Sequence, residues 1–254
     1  MRMEKTGFRI CILGGGPGGI AAALTLSQSG IPCLVLEKNS FPRDKICGDA
    51  ISAKALTILG RIDPGILERL NNSGSQQTIK RALLVSPNGS RVDIRFGETS
   101  GHPPGYIIKR WDFDHFLVKE ALKHPLIELK EGVEARTFEK HDQGYRILDQ
   151  TGQLIADTPL IIDASGAYSK FSRTEGGLLA RDRHYGIAIR AYVSQVNWGN
   201  NPDALEFYLL KDIVPGYLWI FPLPDGKANI GIGLRKDWYK KRKINLESTL
   251  IQLL

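Results

Sequence analysis

Residues 14–19 carry a glycine spacing suited to binding the pyrophosphate of a dinucleotide. Gly14 allows a tight turn, Gly16 lets backbone amides approach the phosphates, and Gly19 lets a helix pack closely on a strand. The unpaired amides at the start of that helix would then face two negative charges. Further along, Glu37 stands where a carboxylate accepts a hydrogen bond from a ribose hydroxyl, which favours an adenosine without a 2′-phosphate.

The elements that must position these residues follow in order. An apolar strand over residues 8–13, which begins at Phe8, leads into the glycines. A helix over Ile20 to Ser29 comes next, and a second apolar strand over 33–36 ends just before Glu37. A glycine-rich turn also occurs for packing reasons alone, but this order favours the first βαβ unit of a dinucleotide-binding domain.

Two more positions suit a phosphate or another ligand. Asp163 and Gly166 follow the apolar run 160–162, which predicts a central parallel strand, and ligands bind at the carboxyl ends of such strands. Asp163 as a simple helix cap is the alternative. Arg110 precedes a helix predicted to begin near Asp112, and its guanidinium suits either a phosphate or a surface salt bridge with a nearby aspartate.

Three aromatic residues and one cysteine are further candidates. Tyr217, Trp219 and Phe221 alternate along a predicted strand, so their rings share one face. Such a face is more often core, but beside a cofactor it would suit a large apolar or planar substrate. Cys47 lies in the charged, glycine-containing loop 43–49, which is either an ordinary surface loop or a place where basic neighbours lower the pKa of a reactive thiol.

Composition narrows the class of protein. The chain has 254 residues, 42% of them hydrophobic, and a net charge of +7. Its basic residues are scattered except for the segment from Lys236 to Lys243, which reads as a solvated helix face or as a contact for a membrane surface or anionic substrate; nucleic acid is not expected. Three cysteines, two in predicted buried strands, suit a reducing cytoplasm. No signal peptide, membrane-spanning segment or metal site is predicted.

The remaining pattern predicts two domains. A discontinuous Rossmann-like domain is expected over 1–75 and 105–175, an antiparallel β domain over 76–104 and 176–235, and a basic helical segment over 236–254. Predicted helices cover 52–59, 64–70 and 246–254. Predicted strands include a hairpin within 79–96 and the runs 106–108, 127–130, 133–140, 145–148, 154–156, 185–193, 204–210, 216–222 and 228–234.

Taken together, these motifs resemble the flavin-dependent geranylgeranyl reductase family, within the flavoprotein monooxygenases folded like p-hydroxybenzoate hydroxylase. The resemblance covers nearly the whole chain. It rests on the glycine motif with its acid, on Lys45-Ile46-Cys47-Gly48, on Arg110-Trp111-Asp112-Phe113-Asp114, on the Asp163 to Gly166 turn, on the Tyr-x-Trp-x-Phe-Pro strand Tyr217 to Pro222, and on the Asn-x-Gly-x-Gly strand Asn229 to Gly233.

The resemblance implies an α/β fold with a Rossmann-like domain and an interleaved antiparallel sheet, and FAD as the cofactor, reduced by NAD(P)H or a small redox protein. It implies that the Cys47 loop faces the flavin ring and that the aromatic strand borders an isoprenoid or other apolar substrate. Flavin-bound hydride would reduce the substrate's double bonds. The implied cofactor-binding residues are Gly14, Gly16, Pro17, Gly18, Gly19, Glu37, Lys38, Arg110, Val133, Asp163 and Gly166; Cys47 is the candidate catalytic residue, and Tyr217, Trp219 and Phe221 the candidate substrate contacts.

Two alternatives stay open. One is an aromatic hydroxylase; halogenation is disfavoured because halogenases of this fold show Trp-x-Trp-x-Ile-Pro in place of the strand from Tyr217 to Pro222. The other is a nucleotide-binding fragment without turnover. Family members carry a later Gly-Asp-Ala segment that contacts the flavin, and this sequence stops at Leu254 before it. We therefore expect either a longer protein or an incomplete flavin half of the site.

Overall fold

A computed structural model describes residues 9–97, 105–179, 181–199 and 202–253; Phe8 and Leu254, at the ends of two predicted elements, lie outside these ranges. The strands are β1 Ile10–Leu13, β2 Cys33–Leu36, β3 Ala50–Ser52, β4 Gln77–Thr78, β5 Arg81–Val85, β6 Arg91–Arg95, β7 Gly105–Ile107, β8 Ile127–Lys130, β9 Thr137–His141, β10 Gly144–Leu148, β11 Leu154–Thr158, β12 Leu160–Asp163, β13 Gly186–Val193, β14 Ala204–Tyr208, β15 Gly216–Leu223 and β16 Lys227–Arg235.

The helices are α1 Pro17–Gln28, α2 Ala53–Ile62, α3 Pro64–Asn71, α4 Arg110–Ala121, α5 Lys170–Thr174, α6 Lys236–Arg242 and α7 Leu246–Leu253, with a 3-10 turn at Asp182–His184. In the part of the chain that the structure describes, none of these helices has the length and apolar character needed to cross a membrane.

The chain forms two compact units. The first comprises residues up to Asp44 and from Trp111 to Leu179, and the second comprises Lys45 to Arg110 and the residues after Leu179. This division differs from the predicted one, which placed residues 45–75 and 105–110 with the Rossmann-like domain. Helices α2 and α3 contact each other, and α2 also contacts β3 and β7, so these residues group with the second unit.

The first unit holds a four-stranded parallel sheet in the order β12-β1-β2-β8. All four residues of β1 and of β2 are buried, as expected of strands covered on both faces. An antiparallel sheet in the order β11-β10-β9 supplies part of that cover, since Ile147 and Ala156 share a core with Cys11 and Leu34. The prediction of a Rossmann-like parallel sheet is confirmed.

The prediction that residues 160–162 form a central strand is wrong. Within the described sheet β12 lies at the edge beside β1, and Leu160 is 52% exposed. An apolar run reports how much side-chain surface is covered; it does not report how many neighbouring strands are hydrogen-bonded. The carboxyl end of β12 still lies beside that of β1, because Leu13 pairs with Asp163.

The second unit holds a six-stranded sheet in the order β13-β16-β15-β14-β5-β6, with all neighbours antiparallel except β14 and β5. One face carries Leu218, Ile230 and Ile232 and packs against Leu246 and Leu250 of α7. A small sheet, β3-β7-β4, completes this unit. The predicted hairpin within 79–96 and the predicted antiparallel sheet are confirmed.

Among the element starts that differ from prediction, such as that of α1 at Pro17 rather than Ile20, two involve hydrogen bonds to residues remote in sequence. Helix α4 begins at Arg110 rather than near Asp112, and Asp49 accepts the Arg110 backbone N–H at 3.3 Å through Oδ1, as a capping residue would. The strand predicted from residue 133 begins at Thr137, since the Val133 N–H instead donates to the Glu37 carbonyl at 3.0 Å.

Candidate functional site

The turn after β1 is shaped by two glycines. Gly14 has φ of +100°, and a Cβ there would lie 2.6 Å from the Ala164 carbonyl oxygen. A Cβ at Gly19 would lie 1.9 Å from the Gly14 carbonyl oxygen. Both positions therefore require glycine, one for the left-handed backbone and one for the close approach of α1 to β1.

The start of α1 is open to an anion. Gly16 is the N-cap residue, and within this described helix neither a side-chain cap nor a first-turn acidic residue is present. Gly18 is exposed, and apart from its chain neighbours and the backbone of its own helix no described atom lies within 4 Å of where its Cβ would stand. The amides and partial positive charge of this terminus, beside a glycine-shaped cradle, fit the pyrophosphate of a dinucleotide.

Glu37 is buried, and its carboxylate links the turn after β1 to the segment after β2 by hydrogen bonds. Its Oε2 accepts the Gly15 backbone N–H at 2.9 Å, and its Oε1 accepts the Asn39 backbone N–H at 3.1 Å and its side-chain amide at 3.2 Å. Arg43 Nε lies 3.5 Å from the same Oε1. A carboxylate has about four lone-pair positions, so three hydrogen bonds leave acceptor capacity for a hydroxyl.

The sequence did not indicate the roles of Asn39 and Arg43. Arg43 belongs to the charged loop that suggested electrostatic activation of Cys47, but its guanidinium instead bridges Glu37 and Asp114, 2.8 Å from the Asp114 carboxylate. The Val133 backbone N–H donates to the Glu37 carbonyl, which places Val133 beside Glu37. Lys38 is exposed. The structure thus brings Gly14, Glu37 and Val133 together at the carboxyl ends of the parallel strands.

Asp163 lies at the carboxyl end of β12, beside that of β1, and accepts hydrogen bonds from three serine side chains. It accepts the Ser165 backbone N–H at 3.1 Å and the hydroxyls of Ser165, Ser169 and Ser172. Burial raises the pKa of Asp163, but these hydrogen bonds outweigh it and hold the pKa below its ordinary value. Ser169, rather than Asp163, caps α5. Gly166, in the following turn, has φ of +88°.

We expect Asp163→Asn to lower the free energy of unfolding by about 1–2 kcal/mol at pH 7, because charge-assisted hydrogen bonds from serine are weakened. Since folding lowers the pKa of Asp163, its contribution is complete above the unfolded value near pH 4 and is lost as pH falls through the folded value. Urea unfolding at pH 7, 5 and 3 should show a gap that is constant between the first two and narrower at the third. Asp142→Asn, at an exposed turn, is the control; a gap equally large at pH 3 would contradict the account.

The second unit carries the predicted aromatic residues on one sheet face. In the register of β15 and β16, Tyr217 pairs with Gly233, Trp219 with Gly231, and Phe221 with Asn229. A Cβ at Gly231 would lie 2.0 Å from the Trp219 ring. Gly231 of the Asn-x-Gly-x-Gly strand therefore makes room for the indole to lie across the neighbouring strand.

Two of these three aromatic side chains lie in the hydrophobic core of the second unit. Trp219 and Phe221 are 6% and 5% exposed and pack with Ile79 and Ile107, whereas Tyr217 is 43% exposed. Beside Tyr217 lies a pocket of about 360 Å³, entirely within the second unit. Its lining includes Ala188, Tyr217, Trp219 and Gly233, with Arg183 and His184 as polar members. Small residues opposite aromatic rings leave room here for an apolar molecule.

The loop with Cys47 and Gly48 packs on the same aromatic strand. A Cβ at Gly48 would lie 2.8 Å from the Phe221 ring, and the Cys47 carbonyl accepts a hydrogen bond from the Asn229 side chain at 2.8 Å. Cys47 is half-buried, whereas burial raises the pKa of Cys11 to about 12 and that of Cys33 to about 11. Asp49, Tyr192 and Asn229 were not predicted as site residues, although an acid and an amide within otherwise apolar surroundings are a usable signal.

Two family comparisons match separate parts of the chain. Residues 8–177, more than half of the sequence, match the family described as FAD binding domain. Residues 185–252 match the family described as geranylgeranyl reductase catalytic domain.

Among curated relatives, the digeranylgeranylglycerophospholipid reductase of Methanosarcina acetivorans is 28% identical over 253 residues, covering 96% of this chain and 60% of that protein. The menaquinone reductase of Mycobacterium tuberculosis is 30% identical over 233 residues, covering 88% of this chain and 54% of that protein. The chain thus spans a little over half the length of these relatives.

Among solved structures, a geranylgeranyl bacteriochlorophyll reductase-like protein of Thermoplasma acidophilum superposes with a TM-score of 0.76 at 26% identity, over 97% of this chain and 61% of that one. A myxobacterial chondrochloren halogenase gives a TM-score of 0.78 at 19% identity, over 97% of this chain and 57% of that one. At that identity the halogenase shows a shared fold only.

Proposed function

Because this chain belongs to the FAD-binding domain family, we propose that it is an FAD-dependent oxidoreductase that reduces double bonds of an isoprenoid or other apolar lipid. The resemblance to flavin-dependent geranylgeranyl reductases is confirmed by the match of residues 185–252. The observation that carries the proposal is the pocket beside Tyr217, whose lining comes mostly from that matched part of the chain and includes small and aromatic residues.

The first unit fits the ADP half of the cofactor. The open start of α1 would hold the pyrophosphate, and Glu37 would accept a ribose hydroxyl with its remaining lone pairs. The backbone near Val133 and the turn from Asp163 to Gly166 lie at the same carboxyl ends of the parallel strands. When bound, FAD would supply a hydride to the substrate. Arg110 as a phosphate ligand and Cys47 as a catalytic residue remain predictions.

The second unit would bind the substrate. Tyr217 presents an exposed ring to the pocket, and Trp219 and Phe221 form the buried wall behind it. The names of the two relatives specify a digeranylgeranyl glycerophospholipid and menaquinone as substrates, which supports a lipid with a long apolar part. Apolar burial of such a chain would supply most of the binding energy.

Other parts of the proposal concern the setting in which the protein works. We infer that NAD(P)H or a small redox protein reduces the flavin, and that the protein works in the cytoplasm with peripheral contact at a membrane surface. The basic helix α6 supports the second inference, because it carries Trp238 beside Lys241 and Arg242, whose charged groups lie 5.2 and 4.6 Å from its ring centre.

We expect Ala188→Phe to weaken lipid binding at least ten-fold, because Ala188 lines the pocket, is exposed, and lies on the same sheet face as Gly233. FAD affinity should stay within two-fold of the wild type, since Ala188 lies outside the first unit. Fluorescence titration with a prenyl lipid measures the first quantity and flavin absorbance the second. Ile58→Phe, which places the same phenyl ring at an exposed site on α2, should change neither; unchanged lipid binding in Ala188→Phe would remove the pocket from the proposal.

The activity is tested by reducing the FAD-loaded protein without oxygen and then adding a candidate substrate. A geranylgeranyl lipid should restore the oxidised flavin spectrum under anaerobic conditions. Reoxidation that instead needs both a phenol and oxygen would favour an aromatic hydroxylase. Failure to bind FAD at all would favour a nucleotide-binding fragment.

A further inference from the structure

Asp49 is a fully buried carboxylate that joins separate parts of the second unit. It has a left-handed backbone, with φ of 63°. Its Oδ2 accepts the Tyr192 hydroxyl and the Asn229 side-chain amide, both at 2.7 Å, and its Oδ1 accepts the Arg110 backbone N–H. Its own carbonyl accepts the Ile108 N–H at 3.0 Å. One residue thus connects the loop after Cys47, the start of α4, and strands β13 and β16.

Asn229 extends this network to the aromatic strand. Its side-chain amide donates to Asp49 Oδ2 and to the Cys47 carbonyl, and its Oδ1 accepts the Trp219 indole N–H at 2.9 Å. Two acceptors on one side and a donor on the other fix the orientation of the amide. Tyr192, Asp49, Asn229 and Trp219 therefore form one continuous chain of hydrogen bonds in a buried setting.

Burying these polar groups lowers the stability of the fold unless each of them has a hydrogen-bond partner. Burial raises the pKa of Asp49, although the hydrogen bonds from Tyr192 and Asn229 and the charge of Arg190 oppose the rise. A leucine or valine would fill the same space without that desolvation cost. A buried acid with directional partners is suited to holding neighbouring segments in one geometry.

We propose that Asp49 is a positioning residue, whose carboxylate holds the Cys47 loop against the aromatic strand and fixes the backbone of Arg110 at the start of α4. This inference rests on the proposed function, since it makes one acid responsible for placing the candidate catalytic loop and the wall of the candidate substrate pocket. In Asp49→Asn, one acceptor becomes an amide donor that must face either the Arg110 backbone N–H or the Asn229 amide, so at least one of these hydrogen bonds is lost. Either loss would loosen the attachment of the Cys47 loop.

The alkylation rate of Cys47 reports the position of this loop in ligand-free protein. At pH 8 the buried Cys11 and Cys33, with pKa values of about 12 and 11, should react slowly with iodoacetamide, so mass spectrometry can follow Cys47. We expect Asp49→Asn to raise the Cys47 rate at least five-fold. Asn229→Asp replaces the donor to both Asp49 and the Cys47 carbonyl with an acceptor and should raise the rate at least as much as Asp49→Asn.

A second pair of variants separates positioning from general stability. Tyr192→Phe removes one donor to Asp49 and should raise the Cys47 rate two- to three-fold, even where Asp49→Asn fails to fold. Tyr106→Phe removes another partly buried tyrosine hydrogen bond, from Tyr106 to Asn71 at 2.6 Å, and should leave the rate unchanged. Equal Cys47 rates in Tyr192→Phe and wild type, or equal increases in both tyrosine variants, would overturn the proposal.

These outcomes do not depend on the proposed activity, because no flavin or lipid is present. A protein whose Cys47 rate responds as expected, but which does not reduce a prenyl lipid, would retain the positioning role and lose the proposed function. With active protein, Asp49→Asn and Asn229→Asp should each lower kcat more than they raise KM for the lipid.

Discussion

Gly18→Glu is expected to weaken FAD binding ten- to hundred-fold relative to Gly18→Gln. Gly18 is the second residue of α1 and is exposed, and apart from its chain neighbours and the helix backbone no described atom lies within 4 Å of where its Cβ would stand. A carboxylate there would repel an anion at the helix start by roughly 1.5–3 kcal/mol. The same carboxylate favours the helix itself by about 0.3–1 kcal/mol through the helix dipole.

Because glutamate and glutamine have nearly the same size, comparing the two variants measures the effect of the added charge on FAD binding. Both variants should unfold at a temperature equal to or above that of the wild type, because each replaces a glycine in a helix. Flavin fluorescence titration, repeated at low and high salt, gives the two dissociation constants. Equal FAD affinity in the Glu and Gln variants would show that the start of α1 does not hold the pyrophosphate.

Gly231→Ala is expected to lower the free energy of unfolding by about 2–3 kcal/mol and to reduce turnover more than ten-fold. The added methyl group would overlap the Trp219 ring, whose nearest atom lies 2.0 Å from the Cβ position. To relieve the overlap, the indole must leave both the Gly231 backbone and its hydrogen bond to Asn229. The wall of the pocket would change with it.

A double-mutant cycle tests this cause. In a Trp219→Phe background the smaller ring gives the new methyl group space, so Gly231→Ala should cost at least 1 kcal/mol less there. Gly186→Ala, at an exposed position on β13 where the nearest atom is 3.9 Å away, is the matched control and should cost little. Additive effects of the substitutions at 219 and 231 would contradict steric coupling.

The βαβ unit was predictable because its determinants are local. The apolar run of β1, the glycines at 14, 16 and 19, and the acid after β2 lie within one short stretch of sequence. Alternation likewise placed Tyr217, Trp219 and Phe221 on one face of β15. The resemblance to a flavoprotein family followed from motifs of the same local kind.

The parts that could not be predicted depend on partners far apart in sequence. Asp49 caps α4 through Arg110 and is bound by Tyr192 and Asn229, more than a hundred residues further on. Asp163 was weighed as a ligand-binding acid or a helix cap, whereas the structure shows an acceptor for three serine hydroxyls. Side-chain hydrogen bonds of this kind leave no periodic pattern in a sequence.

The wrong placement of β12 has a related cause. Hydrophobic periodicity measures the environment of side chains, and strand order is a property of backbone pairing. Ile161 packs in the core of the first unit even though β12 is at the edge of the described sheet. Its carboxyl end nevertheless meets that of β1, which is what the candidate site requires.

The mass of the lipid recovered after one anaerobic turnover tests the central claim most directly. Protein loaded with FAD, reduced and mixed with a geranylgeranyl lipid should return a product that has gained two hydrogens for each double bond reduced and no oxygen. Unchanged lipid from protein whose FAD is bound and reduced, or a product that has gained an oxygen once air is admitted, would contradict the proposed reductase activity.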